Sequence, residues 1–259
     1  MRVIIFLLSL LLSNFITACD CVIPPFALQY QNSDFIAKVK VLSVSLKSSS
    51  AQFQEIQIEI MSLYKGLRTK TIEAENPFIT DCGVNIYPTS IWLVFAKKDS
   101  LGTPKFNSCS GSIEISNINY DSKFPNYKNH LQQKLSLTIT LLEFLKKGNI
   151  DLENQSHINF ILPKGWDTSL QTIKIKSREF ALFKLKFTEN NALPEISNIK
   201  IFSDKIFTRS LIKLIEKGDL KELNSIEPSN SHKTKYLYLL LFYYPSEQNN
   251  KGFLSFNLL

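Results

Sequence analysis

The chain has 259 residues, 44% of them hydrophobic, and a formal net charge of +7. That length and apolar content suffice for one large or two modest domains with real cores, and they exclude wholesale disorder. The basic residues are mostly lysines dispersed among Asn, Ser and Ile, and the pairs Lys97-Lys98 and Lys146-Lys147 are typical of their clustering. A nucleic-acid binder gathers such charge on one face or stretch, so nucleic acid is not an expected partner.

The N-terminus begins with the single positive side chain of Arg2. Val3 to Leu12 is almost unbroken aliphatic and Phe, Ser13-Asn14 softens the run, and Ile16-Thr17-Ala18 ends it with a small residue before Cys19. This is the order of a secretory signal peptide, so residues 1–18 are expected to be cleaved and the mature protein to be secreted or periplasmic. The apolar run is too short to cross about 30 Å of hydrocarbon as a helix. No later stretch reaches transmembrane length. Ile16-Thr17-Ala18-Cys19 also resembles the lipobox of bacterial lipoproteins. That resemblance implies an alternative in which Cys19 is acylated and the protein is lipid-anchored at the cell envelope.

The exported chain holds Cys19, Cys21, Cys82 and Cys109. In an oxidising compartment four cysteines are expected to form two disulfides, with three connectivities open. A Cys19–Cys21 bond would close a very tight ring and is the least favourable of these. The other two schemes both tie the N-terminal segment to two distant points. A structural zinc site would need four N or S ligands at characteristic spacing. The chain offers one C-x-C, two isolated cysteines, and His130, His157 and His232 far off in sequence, so neither a metal nor any cofactor is expected.

The first half reads as a series of short strands. In the segment from Phe35 to Val44, Phe35, Ala37, Val39 and Val41 share one face while Lys38 and Lys40 take the other. From Phe53 to Ile60, Ile56, Ile58 and Ile60 alternate with Glu55, Gln57 and Glu59. Period-two alternation marks half-buried strands. Ile91 to Ala96 is continuously apolar, as a strand buried on both faces would be. Turn residues at Lys65-Gly66 and Ser100-Leu101-Gly102 punctuate the gaps, and the succession predicts a small barrel or sandwich.

Taken in order, the C-x-C, Pro24-Pro25, Asn32-Ser33-Asp34-Phe35-Ile36-Ala37-Lys38-Val39, Leu63-Tyr64-Lys65-Gly66, Asp81-Cys82-Gly83, Trp92-Leu93-Val94-Phe95-Ala96-Lys97 and Ser108-Cys109 resemble the N-terminal domain of tissue inhibitors of metalloproteinases and related netrin-like modules. The resemblance covers residues 19–115. It implies a five-stranded OB-fold barrel with disulfides Cys19–Cys82 and Cys21–Cys109. It also implies a protein partner, in its sharpest form a zinc metalloprotease. There the free α-amino group and carbonyl of Cys19 would chelate the protease zinc, and Asp20 would enter the specificity pocket. Asp20 stands where the family carries a small Thr or Ser, and a carboxylate is costly to bury in an apolar pocket unless paired.

Residues 116–128 read as a linker, followed by an α+β domain over 129–259. Asn129 is an expected N-cap with Gln132 at the reciprocal position. Leu131, Leu135, Ile139, Leu142 and Leu145 form the apolar stripe of a helix ending at Lys146-Lys147-Gly148. Strands are expected over Phe180–Phe187 and Glu195–Phe202. Asp204 should cap a helix bearing Phe207, Leu211, Leu214 and Ile215 that stops at Lys217-Gly218, and Tyr236–Tyr244 should be a final strand. From Leu182-Phe183-Lys184-Leu185-Lys186-Phe187 through Asn198-Ile199-Lys200-Ile201 to the helix, this half resembles the C-terminal domain of TonB, which implies a packing or partner-binding domain. No G-x-S-x-G, H-E-x-x-H or P-loop pattern occurs, so no enzymatic activity is expected. The sequence therefore predicts a mainly β barrel followed by a smaller α+β domain. The expected function is an exported, disulfide-stabilised protein-binding module, with a lipid-anchored or periplasmic scaffold as the alternative.

Overall fold

The structure is a computed structural model that describes residues 21, 24–46, 48, 51–116, 127–152, 158–161, 175–187, 194–216, 219–222, 235–245 and 252–255. The signal segment 1–18, Cys19, Asp20 and most of the expected linker lie outside the described residues. The fold is β-rich α+β, and the chain divides into two compact units.

The first unit holds Cys21 and residues 33–116. Its strands are β1 (Phe35–Leu46), β2 (Phe53–Lys65), β3 (Thr71–Glu75), β4 (Ile91–Lys98), β5 (Pro104–Phe106) and β6 (Ile113–Glu114). The sheet runs β1-β2-β3-β5-β4-β6, and β1 also pairs with β4, which closes five strands into a barrel. β3 and β5 are parallel, in the register Glu73 with Lys105 and Ala74 with Phe106. The β1–β4 seam is antiparallel from Phe35 opposite Ala96 to Lys40 opposite Ile91.

The period-two pattern is realised in the packing. Phe35, Ala37, Val39 and Val41 meet Ile56, Ile58, Ile72, Ala74, Trp92, Val94 and Phe106 in one buried cluster, with Ile60 packed against its edge. The expected burial of both faces of β4 also holds, since Leu93 and Phe95 are as buried as Trp92 and Val94. Gln54 is a buried polar residue in this unit, and its amide donates to the carbonyls of Val84 (2.6 Å) and Glu75 (3.4 Å). Such satisfied burial carries little penalty. At the turn after β2, Gly66 has φ +87°, and a Cβ there would run into the carbonyl of Asp34. Only glycine meets both demands.

Barrel closure depends on β5, a strand of three residues. Lys105 reinforces it by bridging Glu73 on β3 (2.7 Å) and Asp99 in the β4–β5 turn (3.1 Å). Its ammonium also lies 4.3 Å from the centre of the Phe53 ring. The Asp99 carboxylate further accepts the amides of Leu101 and Thr103, both at 2.9 Å.

The second unit holds residues 24–32 and the described residues from 127 onward. Its first helix, α1 (Phe26–Asn32), had no counterpart in the sequence reading, where this segment is part of the barrel domain. Seven residues behind a Pro-Pro pair are too few to establish a helical period. Phe26, Ala27 and Tyr30 are its buried face, and Tyr30 donates to the carbonyl of Ile150 (3.5 Å).

Helix α2 (Tyr127–Lys147) begins two residues before the expected cap Asn129 and ends where expected. At its end Ile150 N donates to Leu145 O (2.9 Å) and Asn149 N to Lys146 O (3.1 Å). This pair of bonds is the Schellman arrangement. The left-handed residue is Asn149, with φ 48°, and not Gly148. Of the expected stripe Leu135, Leu142 and Leu145 are buried and Leu131 and Ile139 half-buried, while Leu137, Thr138 and Leu141 are buried beside them.

A four-stranded antiparallel sheet follows, in the order β12-β11-β8-β9. Its strands are β8 (Glu179–Phe187), β9 (Glu195–Lys200), β11 (Lys235–Tyr244) and β12 (Phe253–Ser255). A separate pair, β7 (Ile158–Ile161) and β10 (Asp219–Glu222), was not legible in the sequence, nor was β12 beyond the expected final strand. Helix α3 (Lys205–Glu216) is capped as expected, with Asp204 Oδ1 accepting from the amides of Ile206 and Phe207, each at 3.0 Å. Its Phe207, Leu211 and Ile215 join Ala181, Phe183, Leu185, Leu237, Leu239 and Leu241 in the core of one sheet face. On the opposite face Phe180, Leu182, Leu240 and Phe242 are buried, and Phe144 of α2 meets Phe180 edge-on at 5.6 Å.

The closure of the barrel carries a pH signature. Backbone donation from Thr103, then hydrogen bonding to Lys105, holds the Asp99 carboxyl below its ordinary 3.8. Hydrogen bonding to Glu73 is the main effect that holds the Lys105 ammonium above its ordinary 10.5. By linkage, the Asp99 contribution is complete above its unfolded value and disappears as pH falls through its lower folded value. The Lys105 contribution is complete below 10.5 and disappears as pH rises through its higher folded value. Asp99→Asn is therefore expected to start with a lower urea midpoint at about pH 7 and to lose less than the wild type between about pH 4 and pH 2. Parallel acid limbs for the two proteins would contradict this account.

Candidate functional site

Of the residues singled out by the sequence, Cys21, Cys82 and Cys109 meet at one corner of the barrel, where two loops carry Cys82 and Cys109. The first loop leaves β3 at Glu75. Asn76 is buried and organises it: its side-chain amide donates to Ala51 O (3.0 Å), and its Oδ1 accepts from Phe78 N (3.1 Å). Its carbonyl accepts from the amides of Ile79 (3.1 Å) and Thr80 (3.0 Å). This Asx-type turn satisfies the backbone locally. Phe78 consequently projects outward, 85% exposed, and Ile79 beside it is 48% exposed. Both sit just ahead of Asp81-Cys82.

The glycine after Cys82 has a physical reason. A Cβ on Gly83 would overlap the backbone of Asn76 and Pro77. The two limbs of the loop therefore touch backbone to backbone, which only a residue without a side chain permits.

The second loop follows β5 directly. Asn107 caps the short 3₁₀ turn Ser108–Ser110, with its Oδ1 accepting from Cys109 N (3.1 Å). Gly111 ends the turn in the left-handed region, with φ 79°. The two loops are cross-linked twice outside the sulfurs. Ser108 N donates to Cys82 O (3.0 Å). The Glu75 carboxylate accepts from Asn107 Nδ2 (2.9 Å) through one oxygen and from Thr80 Oγ1 (3.1 Å) through the other. One carboxylate thus fixes the loops of both cysteines.

Cys21 is disulfide-bonded to Cys109, with Cα atoms 4.9 Å apart, over a sequence separation of 88. Cys82 is also disulfide-bonded, and its partner lies outside the described residues. Its Sγ lies 3.9 Å from Cys109 Sγ, so the two bridges sit side by side. Cys19 and Asp20, the residues expected to contact a partner, lie outside the described residues. Among the described residues no group of three or more His, Cys, Asp or Glu is placed to hold a metal ion, and no helix is long and apolar enough to cross a membrane.

Sequence reasoning found the cysteines and missed what positions them. Asn107 ahead of Ser108-Cys109 carries a cap signature that could have been read. Glu75 had no such signal, because its role comes from bringing together residues 71–75, 80 and 107. The exposure of Phe78 and Ile79 follows from the turn at Asn76, and periodicity cannot register it.

No family model matches the chain, and no curated protein matches it.

Two outcomes test this geometry. Gly83→Ala is expected to destabilise the protein by about 1–3 kcal/mol, the usual cost of forcing an extra carbon into a packed site. Urea denaturation checks this, and an unchanged midpoint would remove the close approach from the account. The paired change Cys21→Ser with Cys109→Ser is expected to cost about 4–5 kcal/mol, from the entropy of the loop that the bridge closes. A loss of under about 1 kcal/mol would show that the bridge does not constrain the unfolded chain.

Proposed function

We propose that the protein is an exported protein-binding module whose barrel is a netrin-like OB-fold and whose disulfide-stapled corner is its contact surface. In its sharpest form it inhibits a zinc metalloprotease through Cys19. The barrel order β1-β2-β3-β5-β4, closed by β1 on β4 with a parallel β3–β5 pair, supports the OB assignment. The observation that carries the functional reading is the Cys21–Cys109 bridge, set beside the Cys82 bridge next to a loop that exposes Phe78 and Ile79. Bridging the segment after Cys19 to a rigid barrel reduces the ordering cost of presenting it. The exposed Phe and Ile supply the apolar contact that a partner surface would cover.

In this reading the chain is cut after Ala18, and the α-amino group and carbonyl of Cys19 chelate the protease zinc. The amine must be deprotonated, which its ordinary pKa near 8 allows. Asp20 meets the specificity pocket and selects a protease that offers it a positive or hydrogen-bonding partner, since an unpaired buried carboxylate is costly.

Intact mass of the protein from its native host is the first test, and a mass of residues 19–259 less four hydrogens is expected. Acyl mass on Cys19 would instead support the lipid-anchored scaffold and eliminate chelation. Titration against a panel of zinc proteases follows, with Phe78→Ser expected to weaken inhibition about tenfold or more, the usual cost of losing a buried aromatic anchor. No inhibition at micromolar protein would end the inhibitor reading and leave a non-inhibitory protein-binding role.

A further inference from the structure

The stapled corner places its two bridges where they can react with each other. Cys82 Sγ lies 3.9 Å from Cys109 Sγ. Each sulfur is committed to a different bond, Cys109 to Cys21 and Cys82 to a partner outside the described residues. Thiol–disulfide exchange proceeds when a thiolate reaches a disulfide sulfur. Here the reach is built into the loops, which are held together independently of the sulfurs. Ser108 N donates to Cys82 O (3.0 Å), and the Glu75 carboxylate accepts from Asn107 (2.9 Å) and Thr80 (3.1 Å). Opening the Cys82 bridge removes none of these bonds, so a Cys82 thiolate stays beside Cys109.

The far side of the Cys21–Cys109 bridge is also prepared. The Ser108 hydroxyl lies 3.5 Å from Cys21 Sγ and 4.0 Å from Cys109 Sγ. Cys21 is the leaving sulfur when Cys82 attacks Cys109, and a hydroxyl can donate to that sulfur as negative charge develops on it. Cys21, Cys82 and Cys109 are half-buried and Ser108 is exposed, which leaves the corner open to a thiol from solvent.

We propose that the paired bridges form a redox switch, in which reduction of the Cys82 bridge moves the bond to Cys82–Cys109 and frees Cys21. The reductant is an external dithiol. One of its thiolates attacks the sulfur bonded to Cys82, and the electron pair of the broken S–S bond leaves on Cys82 Sγ. The Cys82 thiolate then attacks Cys109 Sγ. A Cys82–Cys109 bond forms, the Cys21–Cys109 bond breaks, and its electron pair leaves on Cys21 Sγ, which takes up a proton. The second thiol of the reductant resolves the mixed disulfide and closes the reductant into a cyclic disulfide. The dithiol gives up two electrons and two protons. The chain keeps one bridge and gains two thiols, on Cys21 and on the former partner of Cys82. The sequence separation across the bridge falls from 88 to 27. The two barrel loops stay joined, while the N-terminal segment loses its covalent tie to this corner. The consequence for inhibition rests on the reading proposed above: the released segment carries Cys19, so the switch turns inhibition off.

Bridge mapping of the full mature chain tests the exchange without any protease. The protein is treated with one equivalent of dithiothreitol, alkylated with N-ethylmaleimide, digested without further reduction and mapped by mass spectrometry. The two-thiol species is expected to contain a Cys82–Cys109 linked peptide and label on Cys21. A two-thiol species that mainly keeps Cys21–Cys109, or keeps Cys82 on its original partner, would overturn the proposal. In the paired change Cys19→Ser with Cys82→Ser the internal nucleophile is gone. Dithiothreitol is then expected to open Cys21–Cys109 at least about tenfold more slowly, through loss of a positioned thiolate. An equal rate would likewise overturn the proposal. Ser108→Ala is expected to slow release of Cys21 about tenfold, as loss of a hydrogen bond to a charged group does, and an unchanged rate would remove Ser108 from the step. Against a protease that the intact protein inhibits, the exchanged and alkylated form is expected to be at least about tenfold weaker. The two readings fail separately. Exchange without inhibition of any protease keeps the switch and ends the inhibitor reading, whereas inhibition without a Cys82–Cys109 peptide ends the switch alone.

Discussion

Closure of the first unit rests on three residues. Pro104–Phe106 forms the only described strand that joins β3 to β4, and without it the sheet would end in two unpaired edges. Such edges expose backbone donors and acceptors and invite association with other chains. A strand this short contributes few ladder bonds, so side chains do much of the joining. Lys105 holds Glu73 and Asp99 together across it, and Phe106 enters the barrel core beside Trp92. The same segment continues immediately into Asn107 and the turn that bears Cys109. Barrel closure and the stapled corner are consecutive in sequence, and whatever loosens β5 also releases the loop of Cys109.

The legible parts of this sequence are those where one element carries its own pattern. β1 and β2 alternate every second residue, and the structure buries Phe35, Ala37, Val39, Val41, Ile56 and Ile58 of the residues this alternation selects and half-buries Ile60. Asp204 and the Lys146-Lys147-Gly148 stop announce helix ends through local hydrogen-bonding chemistry. The illegible parts are short or depend on assembly. α1, β5, β6, β7, β10 and β12 are too brief for a period to emerge, and long-range pairing decides them. Asn149 takes the left-handed cap although Gly148 looks like the natural candidate, because the Schellman bonds place C′ one residue later. Among the site residues the cysteines were visible by type. Glu75 was not, since a carboxylate on an alternating strand normally reads as surface.

The two units use charge in different ways. In the barrel the cations that matter are matched: Lys105 has two carboxylates, and the Glu75 carboxylate is consumed by Asn107 and Thr80. In the second unit the strand ends gather Lys176, Arg178 and Lys200 near Glu179, which is bonded to Ser203, and the Arg178 guanidinium lies 5.0 Å from the centre of the Tyr244 ring. The sequence shows these lysines only as part of an even scatter. Residue 176 is 24 positions from residue 200, and it is the antiparallel pairing of β8 with β9 that brings the entry of one strand to the exit of the other. A composition that argues against an extended basic surface is therefore compatible with a compact basic pocket.

Both features sit at element ends, and the reason is energetic. The strand residues that face the cores are employed in packing: one face of β8 meets α3, and Phe180 and Leu182 on the opposite face are buried too. A group there cannot be spared for an external contact without opening a cavity. Loops and strand ends have spare donors, but they are useful only if their conformation is fixed before a partner arrives, since ordering them later subtracts from affinity. The barrel achieves this with the Cys21–Cys109 bridge and the Asn76 and Asn107 turns. The second unit achieves it with the Glu179–Ser203 bonds, which lock the start of β8 to the connection between β9 and α3. In each case a small number of polar or covalent ties fixes an irregular segment.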